Sequence, residues 1–335
     1  KKILTNIFQK KKLPIEKSSF QNMSKEQNTA IKTKEIVANR GKKNSVDLQK
    51  PYAWLVEKER TSSGKIEDVA IILLTNRECP FHCLMCDLWK NTTDKTVPIG
   101  AFPKQIEWAL KELPKVKHLK LYNSGSFFDK KAIPEADYER IAQLLSSFET
   151  VVVESHPKFI NERCLYFAKL LKPELQVAIG LETAHQLVLE RLNKQMTLDD
   201  FKNSVQFLQQ HQIKSRAFIL LRPPWLTESE GLLWAKKSID FAFESGVECC
   251  TVIPVRAGNG MLDKMLKEGE FEKPSIASLE SAVEYGISLK SGRVFADLWD
   301  LQLFSTCEKC SKLREKRLDA MNLTQVVSPK ISCTC

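Results

Sequence analysis

No apolar run in the 335-residue chain approaches the roughly 20 residues that a membrane-spanning helix needs. The longest, VAIILL at 69–74, has the length of a buried strand. The N-terminal lysines are not followed by an apolar stretch of about 7–15 residues, so no secretory signal is legible. The chain starts at Lys1 rather than Met, so these residues need not be the whole gene product. A disulfide framework is not expected either: such frameworks belong mainly to small secreted domains. These absences leave a cytoplasmic globular protein without a membrane partner. Hydrophobic residues at 43% and charged residues at 27% are ordinary for that class. The length suits one large α/β domain with appendages.

The charge is unevenly placed. Residues 1–50 hold twelve lysines and Arg40 against Glu16, Glu26, Glu35 and Asp47, a net +9 out of the total +10. The remaining 285 residues are near neutral. Such a segment, low in aromatics and rich in Lys, Asn, Gln and Ser, reads as a disordered, solvated tail over 1–50. Its alternative use is a non-specific arm for RNA phosphates.

Ten cysteines are present, and seven fall in two groups. Grouped thiols in a reducing compartment point to metal. Cys164, Cys249 and Cys250 lie outside the groups and read as core residues.

Strand-like runs recur at 69–75, 116–123, 149–155, 175–182, 213–221 and 247–255. Amphipathic helical stretches separate them, at 103–113, 137–148, 161–171, 187–210 with a break, and 228–245. This alternation predicts parallel βαβ units. The fold class expected is α/β, a partial (βα)6 TIM-like barrel, over residues 51–300. A small Cys-rich metal-binding extension follows over 301–335. Nearly every predicted strand ends in small or polar residues: NSGS at 123–126, ESHP at 154–157, GLET at 180–183, LRPPW at 221–225 and PVRAGNG at 254–260. In barrels the active site is built on that edge.

The stretch CPFHCLMC at 79–86 follows the first predicted strand and spaces three thiols as Cys79-x3-Cys83-x2-Cys86. A structural zinc site wants four closed ligands, and no fourth Cys lies near; His82, beside Cys83, would be a strained ligand. A redox CxxC leaves Cys79 unexplained. A four-iron cluster on three cysteines leaves one iron open to another ligand.

That spacing and placement resemble the radical S-adenosylmethionine (SAM) superfamily. The resemblance implies a 4Fe–4S cluster on Cys79, Cys83 and Cys86 and an external electron donor. It also implies reductive cleavage of SAM to methionine and a 5′-deoxyadenosyl radical that takes a hydrogen atom from substrate. Further positions carry over one at a time. Met85 stands where the family has an aromatic or large apolar residue near adenine. Asn123, Ser124, Gly125 and Ser126 stand at the small-residue motif that receives the SAM amino group, without the Glu that often ends it. Glu182 suits ribose hydroxyls or the amino group, or else a helix N-terminus. Arg222 and Arg256 suit an anion, or else surface ion pairs. Gly258, Asn259 and Gly260 allow close backbone approach, or else form a turn.

At the other end, Cys307-x2-Cys310 and Cys333-x-Cys335 flank a helix predicted at about 311–321. Four thiols there fit a closed zinc site or an auxiliary iron–sulfur cluster. The basic KLREKR at 312–317 reads as a solvated helix face or a nucleic-acid contact.

From about 69 to 335, CPFHCLMCDLWKNT, LKLYNSGSFFD, GLET, RAFILLRPPWLTE, RAGNG and DLWDL resemble a narrower group. This is the radical SAM subunit of archaeosine synthase and its uncharacterised relatives, whose core is related to the elongator catalytic subunit. That resemblance implies carbon–nitrogen cleavage in a lysine attached to a 7-deazaguanine of tRNA, and a partner subunit. Two other readings are a radical SAM enzyme on a small metabolite and a non-enzymatic zinc or RNA-binding protein. No catalytic residue beyond the cofactor sites is legible.

Overall fold

The computed structural model describes residues 32–333 apart from Thr306. Eight strands form one sheet in sequence order: β1 (Ala53–Arg60), β2 (Ile66–Leu73), β3 (His118–Tyr122), β4 (Thr150–Glu154), β5 (Glu174–Glu182), β6 (Lys214–Leu221), β7 (Cys249–Pro254) and β8 (Arg293–Ala296). β1 pairs antiparallel with β2, and every later pair is parallel. The helices are α1 (Thr33–Ala38), α2 (Ala101–Glu112), α3 (Tyr138–Leu144), α4 (Glu162–Leu170), α5 (Gln186–Arg191), α6 (Leu198–Gln210), α7 (Glu228–Ser245), α8 (Met261–Glu268), α9 (Ile276–Ser288) and α10 (Glu308–Thr324). No described helix is long and apolar enough to cross a membrane.

The result is a curled, mostly parallel half-barrel wrapped by helices. The six expected strands are β2 to β7. Two more extend the sheet. β1 buries only one face partially, and β8 has four residues, so neither produces a strong apolar run. The last part of the basic segment also differs from a disordered tail. Residues 33–38 form α1, and Ile36 is 1% exposed in an apolar cluster with Leu84, Leu192, Val255 and Leu262. Residues 1–31 of that segment lie outside the described residues.

Period-2 alternation divides each strand between two environments. Leu119 and Leu121 of β3, with Ala217 and Ile219 of β6, belong to the main apolar core that includes Phe102, Ile106, Phe201 and Ile239 of the helices. Their neighbours Lys120 and Arg216 are nonetheless buried, at 5% and 3% exposure. Charge inside a barrel must be compensated. Glu59 of β1 supplies it. Arg216 donates through both terminal nitrogens to the Glu59 carboxylate, at 3.0 Å for Nη1. Lys120 Nζ lies 2.5 Å from Glu59 Oε2 and also pairs with Glu57. Burial would raise the Glu59 carboxyl, but Arg216 and Lys120 hold it well below the usual carboxylate range.

These contacts draw β1 across the interior toward β6 and β8. Arg293 Nη1 of β8 donates to the Arg60 carbonyl at 2.6 Å, although β1 and β8 do not pair as strands. Helix α10 packs against both. Two of its side-chain amides serve the open edge of β8: Gln325 bonds Val294 N and O at 2.7 and 2.9 Å, and Asn322 bonds Ala296 N and O at 2.7 and 2.9 Å. The edge groups are thus satisfied as a ninth strand would satisfy them.

Removing the shared acid should leave Arg216 without its carboxylate and Lys120 with Glu57 alone. Glu59→Gln is expected to cost about 3–5 kcal/mol of folding stability, read by urea denaturation. A loss below about 1 kcal/mol would mean that the network is not what holds β1 in place.

Candidate active site

The three-thiol loop runs from the end of β2 over the C-terminal rim of the parallel strands. Cys83 is buried, and Cys79 and Cys86 are partly exposed. Desolvation pushes each thiol up to about 12 in the metal-free chain. Lys194 opposes the rise at Cys79 and Cys83, and Arg40 opposes it at Cys86. The sulfurs of Cys79, Cys83 and Cys86 do not gather within 4.8 Å of one another; among the described residues only Cys307, Cys310 and Cys333 do so.

The loop is tied down on several sides. Phe81 stacks on the His156 ring at 3.9 Å between centroids. Leu84 N donates to Leu192 O at 2.9 Å, and Asn193 Nδ2 donates to His82 O at 2.8 Å. Asn259 Nδ2 donates to Leu84 O at 2.6 Å. His82 faces Glu78, with Nε2 3.5 Å from its carboxylate.

The small-residue loop after β3 adjoins Cys79. A Cβ on Gly125 would lie 3.4 Å from Cys79 Cβ, 3.6 Å from Asn76 Nδ2 and 3.9 Å from Asn123 Nδ2, which places this loop in van der Waals contact with the first thiol residue. Asn123 is fully buried, yet neither polar atom of its side chain has a hydrogen-bond partner among the described residues, and Asn76 Oδ1 is likewise orphaned. Buried amides are normally paired. An unpaired Asn123 amide and an unpaired Asn76 oxygen, whose Nδ2 donates to Arg77 O at 2.7 Å, beside a thiol fit a polar guest. Glu154, the last residue of β4, holds this loop from beneath. Its Oε1 accepts from Asn123 N at 2.8 Å and Gly125 N at 3.4 Å. Burial raises the Glu154 carboxyl, and the backbone N–H groups oppose it. Ser124 Oγ lies 2.8 Å from the Tyr52 hydroxyl, and Ser126 Oγ accepts from His156 N at 3.0 Å.

Across the rim, Glu182 ends β5 at φ 64° after a bulge. Its carboxylate receives Lys194 Nζ at 2.6 Å, with side-chain exposures of 8% and 11%. Burial lowers the Lys194 pKa, but Glu182 more than reverses this, so it stays above its ordinary value. Gly180 makes the pair possible: a Cβ there would fall 2.2 Å from Glu182 Oε1 and 2.5 Å from Lys194 Nζ.

The other expected contacts are engaged with neighbouring loops or with the apolar cluster under the thiol loop. Arg222 is engaged by Glu228, Glu272, Leu226 O and Lys273 O, which makes it a clamp of the loop after β6. Arg256 donates to Trp299 O at 2.7 Å and pairs with Asp297. Gly258 has φ 122° and packs no neighbour at its Cβ position, whereas Gly260 lies under Asn39 O, 1.9 Å from where a Cβ would stand. Met85 packs against the apolar cluster of Ile36 and Leu84. Lys194, Glu154 and His156 were not read from the sequence as site residues. Glu154 and His156 fall in the strand end ESHP, which could have flagged them; Lys194, in the helical stretch 187–210, carries no such signal.

At the C-terminus Cys307 and Cys333 bring their sulfurs to 3.8 Å. Arg314 Nε donates to Cys310 Sγ at 3.4 Å and pairs with Glu280. Arg317 holds Ser328 O and Pro329 O, which fixes the returning segment against α10. Arg314 and Arg317 of KLREKR are therefore engaged within the fold. Cys335 lies outside the described residues.

The His156 environment makes stability pH-dependent. Nε2 donates to Lys194 O at 2.9 Å, and Nδ1 accepts from Lys158 N at 3.2 Å, which requires the neutral ring. Burial, with Lys194 nearby, lowers its pKa to about 3. The unfolded chain takes up the proton below about pH 6.5 while the folded chain does not. Stability should fall as pH drops from about 6.5 toward 3, by up to about 1.4 kcal/mol per unit from this group. Urea titrations at pH 7 and 5 should show a smaller drop for His156→Asn than for the wild type.

No protein-family model matches the chain. An uncharacterised protein of Methanocaldococcus jannaschii is 24% identical over 319 residues, spanning 88% of this chain and 87% of that protein. Archaeosine synthase subunit beta of Methanosarcina acetivorans is 24% identical over 211 residues, which span 59% of each chain. Among solved structures, Methanocaldococcus infernus Elp3 with an N-terminal deletion aligns with a TM-score of 0.48 and 14% identity, over 76% of this chain and 63% of that one. The chain is thus similar, over about three fifths of its length and of the relative's, to a beta subunit of archaeosine synthase.

Proposed function

We propose that the chain is a radical SAM enzyme that modifies a tRNA nucleoside. The observation that carries this is the open three-thiol loop on the C-terminal rim, beside the buried Asn123 carboxamide, whose two polar atoms have no partner among the described residues, and the unpaired Asn76 Oδ1. Cys79, Cys83 and Cys86 would hold a 4Fe–4S cluster. Their sulfurs are spread wider than thiolates sharing one ion, as a multi-iron cluster requires. When bound, the cluster supplies an open iron for SAM and an electron for its cleavage; the electron comes from an external donor.

The protein's own groups bind and orient. Asn76 and Asn123 offer donors and acceptors to the polar end of the guest. Ser124, Gly125 and Ser126 keep that side low. Glu182 and Lys194 present a fixed pair of opposite charges suited to an amino acid's ammonium and carboxylate. Met85 gives an apolar wall. Arg222, Arg256 and Asn259 are better explained as braces, because they tie the surrounding loops together through Lys273 O, Trp299 O and Leu262 N.

A tRNA substrate and a partner subunit are supported by the similarity to a protein named archaeosine synthase subunit beta. The basic segment also joins the fold at this rim through α1. The carbon–nitrogen cleavage of a lysine-bearing 7-deazaguanine is the specific reaction we propose.

We also assign the C-terminal thiols to one tetrahedral zinc. Zn–S bonds of about 2.3 Å place tetrahedral ligands about 3.8 Å apart, the separation seen between Cys307 and Cys333. Cys335 would complete the set.

Anaerobically reconstituted protein should form 5′-deoxyadenosine from SAM and reductant, and Cys83→Ala should reduce this at least about 100-fold. Wild-type turnover by that variant sinks the radical reading. Nucleoside mass spectrometry of tRNA treated with the protein tests the substrate; an unchanged profile with a small molecule consumed instead would replace it. Metal analysis should find about one zinc per chain, lost in Cys310→Ser with iron at the loop unchanged. Iron in place of zinc would point to an auxiliary cluster.

A further inference from the structure

Residues 33–44 cross the rim directly over the cysteine loop. Ile36 of α1 is buried against Leu84 within that loop and Leu262 of α8. Asn193 Nδ2, which holds His82 O, also donates to Thr33 Oγ1 at 3.1 Å. Asn39 O occupies the space left by Gly260. Lys264 closes the outer side on Glu35 at 3.0 Å. The segment is therefore anchored on both the β2 and the β7 sides of the mouth.

Its second half grips the two flanks of the thiols. Arg40 Nη1 donates to Glu78, the residue before Cys79, and the same guanidinium lies 5.0 Å over the ring of Trp89, three residues beyond Cys86. The Arg40 side chain is 9% exposed. Lys43 Nζ reaches the other Glu78 oxygen at 2.6 Å and Asp94 at 2.6 Å. Asn44 N donates to Lys90 O at 2.7 Å, and its side chain donates to Asn91 at 2.8 Å. One cationic side chain thus spans the eight-residue thiol stretch end to end, with hydrogen bonds on either side of it.

We infer that residues 33–44 are a strap that holds the three-thiol loop in its binding shape, with Arg40 as the positioning residue. The physical ground is entropic. A loop carrying three ligands loses conformational freedom when it takes up a cluster, and a strap that fixes both flanks beforehand removes part of that cost. Arg40 suits the task because its planar fork bonds a carboxylate while its face stacks on an indole. The inference rests on reading Cys79, Cys83 and Cys86 as the cluster ligands. It also separates the basic segment into two parts, since residues 33–44 belong to the site whatever residues 1–31 do.

Hydrogen exchange on the metal-free full chain tests the strap independently of any cluster. In Arg40→Met, amides across 78–92 should exchange about tenfold faster, while those of β3 to β6 stay at wild-type rates. Arg40→Lys should restore part of the protection. Lys34→Ala, at an exposed strap position, should change nothing. Wild-type exchange over 78–92 in Arg40→Met overturns the inference, as does equal loss of protection throughout the sheet. On reconstitution, Arg40→Met should take up iron several-fold more slowly, with a broadened electron paramagnetic resonance signal from the reduced cluster. If wild-type protein takes up no iron, the radical SAM reading fails, and the exchange result still decides the strap.

Discussion

The architecture depends on one buried carboxylate. A half-barrel whose strands run in order from β1 to β8 has two edges, and nothing in the parallel sheet brings them together. Glu59 does so by charge. It meets Arg216 and Lys120, which point into the barrel from β6 and β3, and so carries β1 over the interior. Arg293 then reaches Arg60, and α10 seals the seam with the side-chain amides of Asn322 and Gln325. The cost of desolvating these ions is offset in part by their mutual pairing. With this network at the lower end of the strands, the opposite rim is left for loops.

Two cysteine groups are thus placed on different kinds of support. The thiols at 79–86 sit on a loop whose contacts come from five separate segments: the strap, the loop after β3, the His156 turn, the residues after α5, and Asn259. The C-terminal thiols sit where α10 begins and where the chain returns along it, held by Arg317. The first arrangement leaves polar groups unpaired at its margin, and the second brings sulfurs to the spacing of ligands on a single ion. That contrast supports the proposed reading of an open site for chemistry and a closed site for structure.

Much of this is visible in the residues themselves. The strands β2 to β7 announce themselves because their apolar cores are four to eight residues long and end in small or polar residues. The cysteine spacing is equally plain, since ligands of one group must be close in sequence on a short loop. Less visible is anything that depends on a charge pattern. Lys120 in HLKLY and Arg216 in KSRAFILL read as interruptions of buried strands, yet they are the buried half of the network that Glu59 completes. The gap of 157 residues between Glu59 and Arg216 gives no local signal.

By itself the sequence determined a parallel α/β barrel, a three-thiol loop after its first parallel strand, and a second thiol group at the end. Those are local matters of periodicity, punctuation and spacing. Only the tertiary structure decided that Lys194 pairs with Glu182, that Glu154 carries the Asn123–Gly125 loop, and that Arg222 and Arg256 are spent on neighbouring loops. It also decided that part of a basic, polar segment is folded. Ile36 and Arg40 are two residues in a run of lysines and asparagines, and their worth comes from Leu84, Glu78 and Trp89, which only the curled sheet brings beneath them.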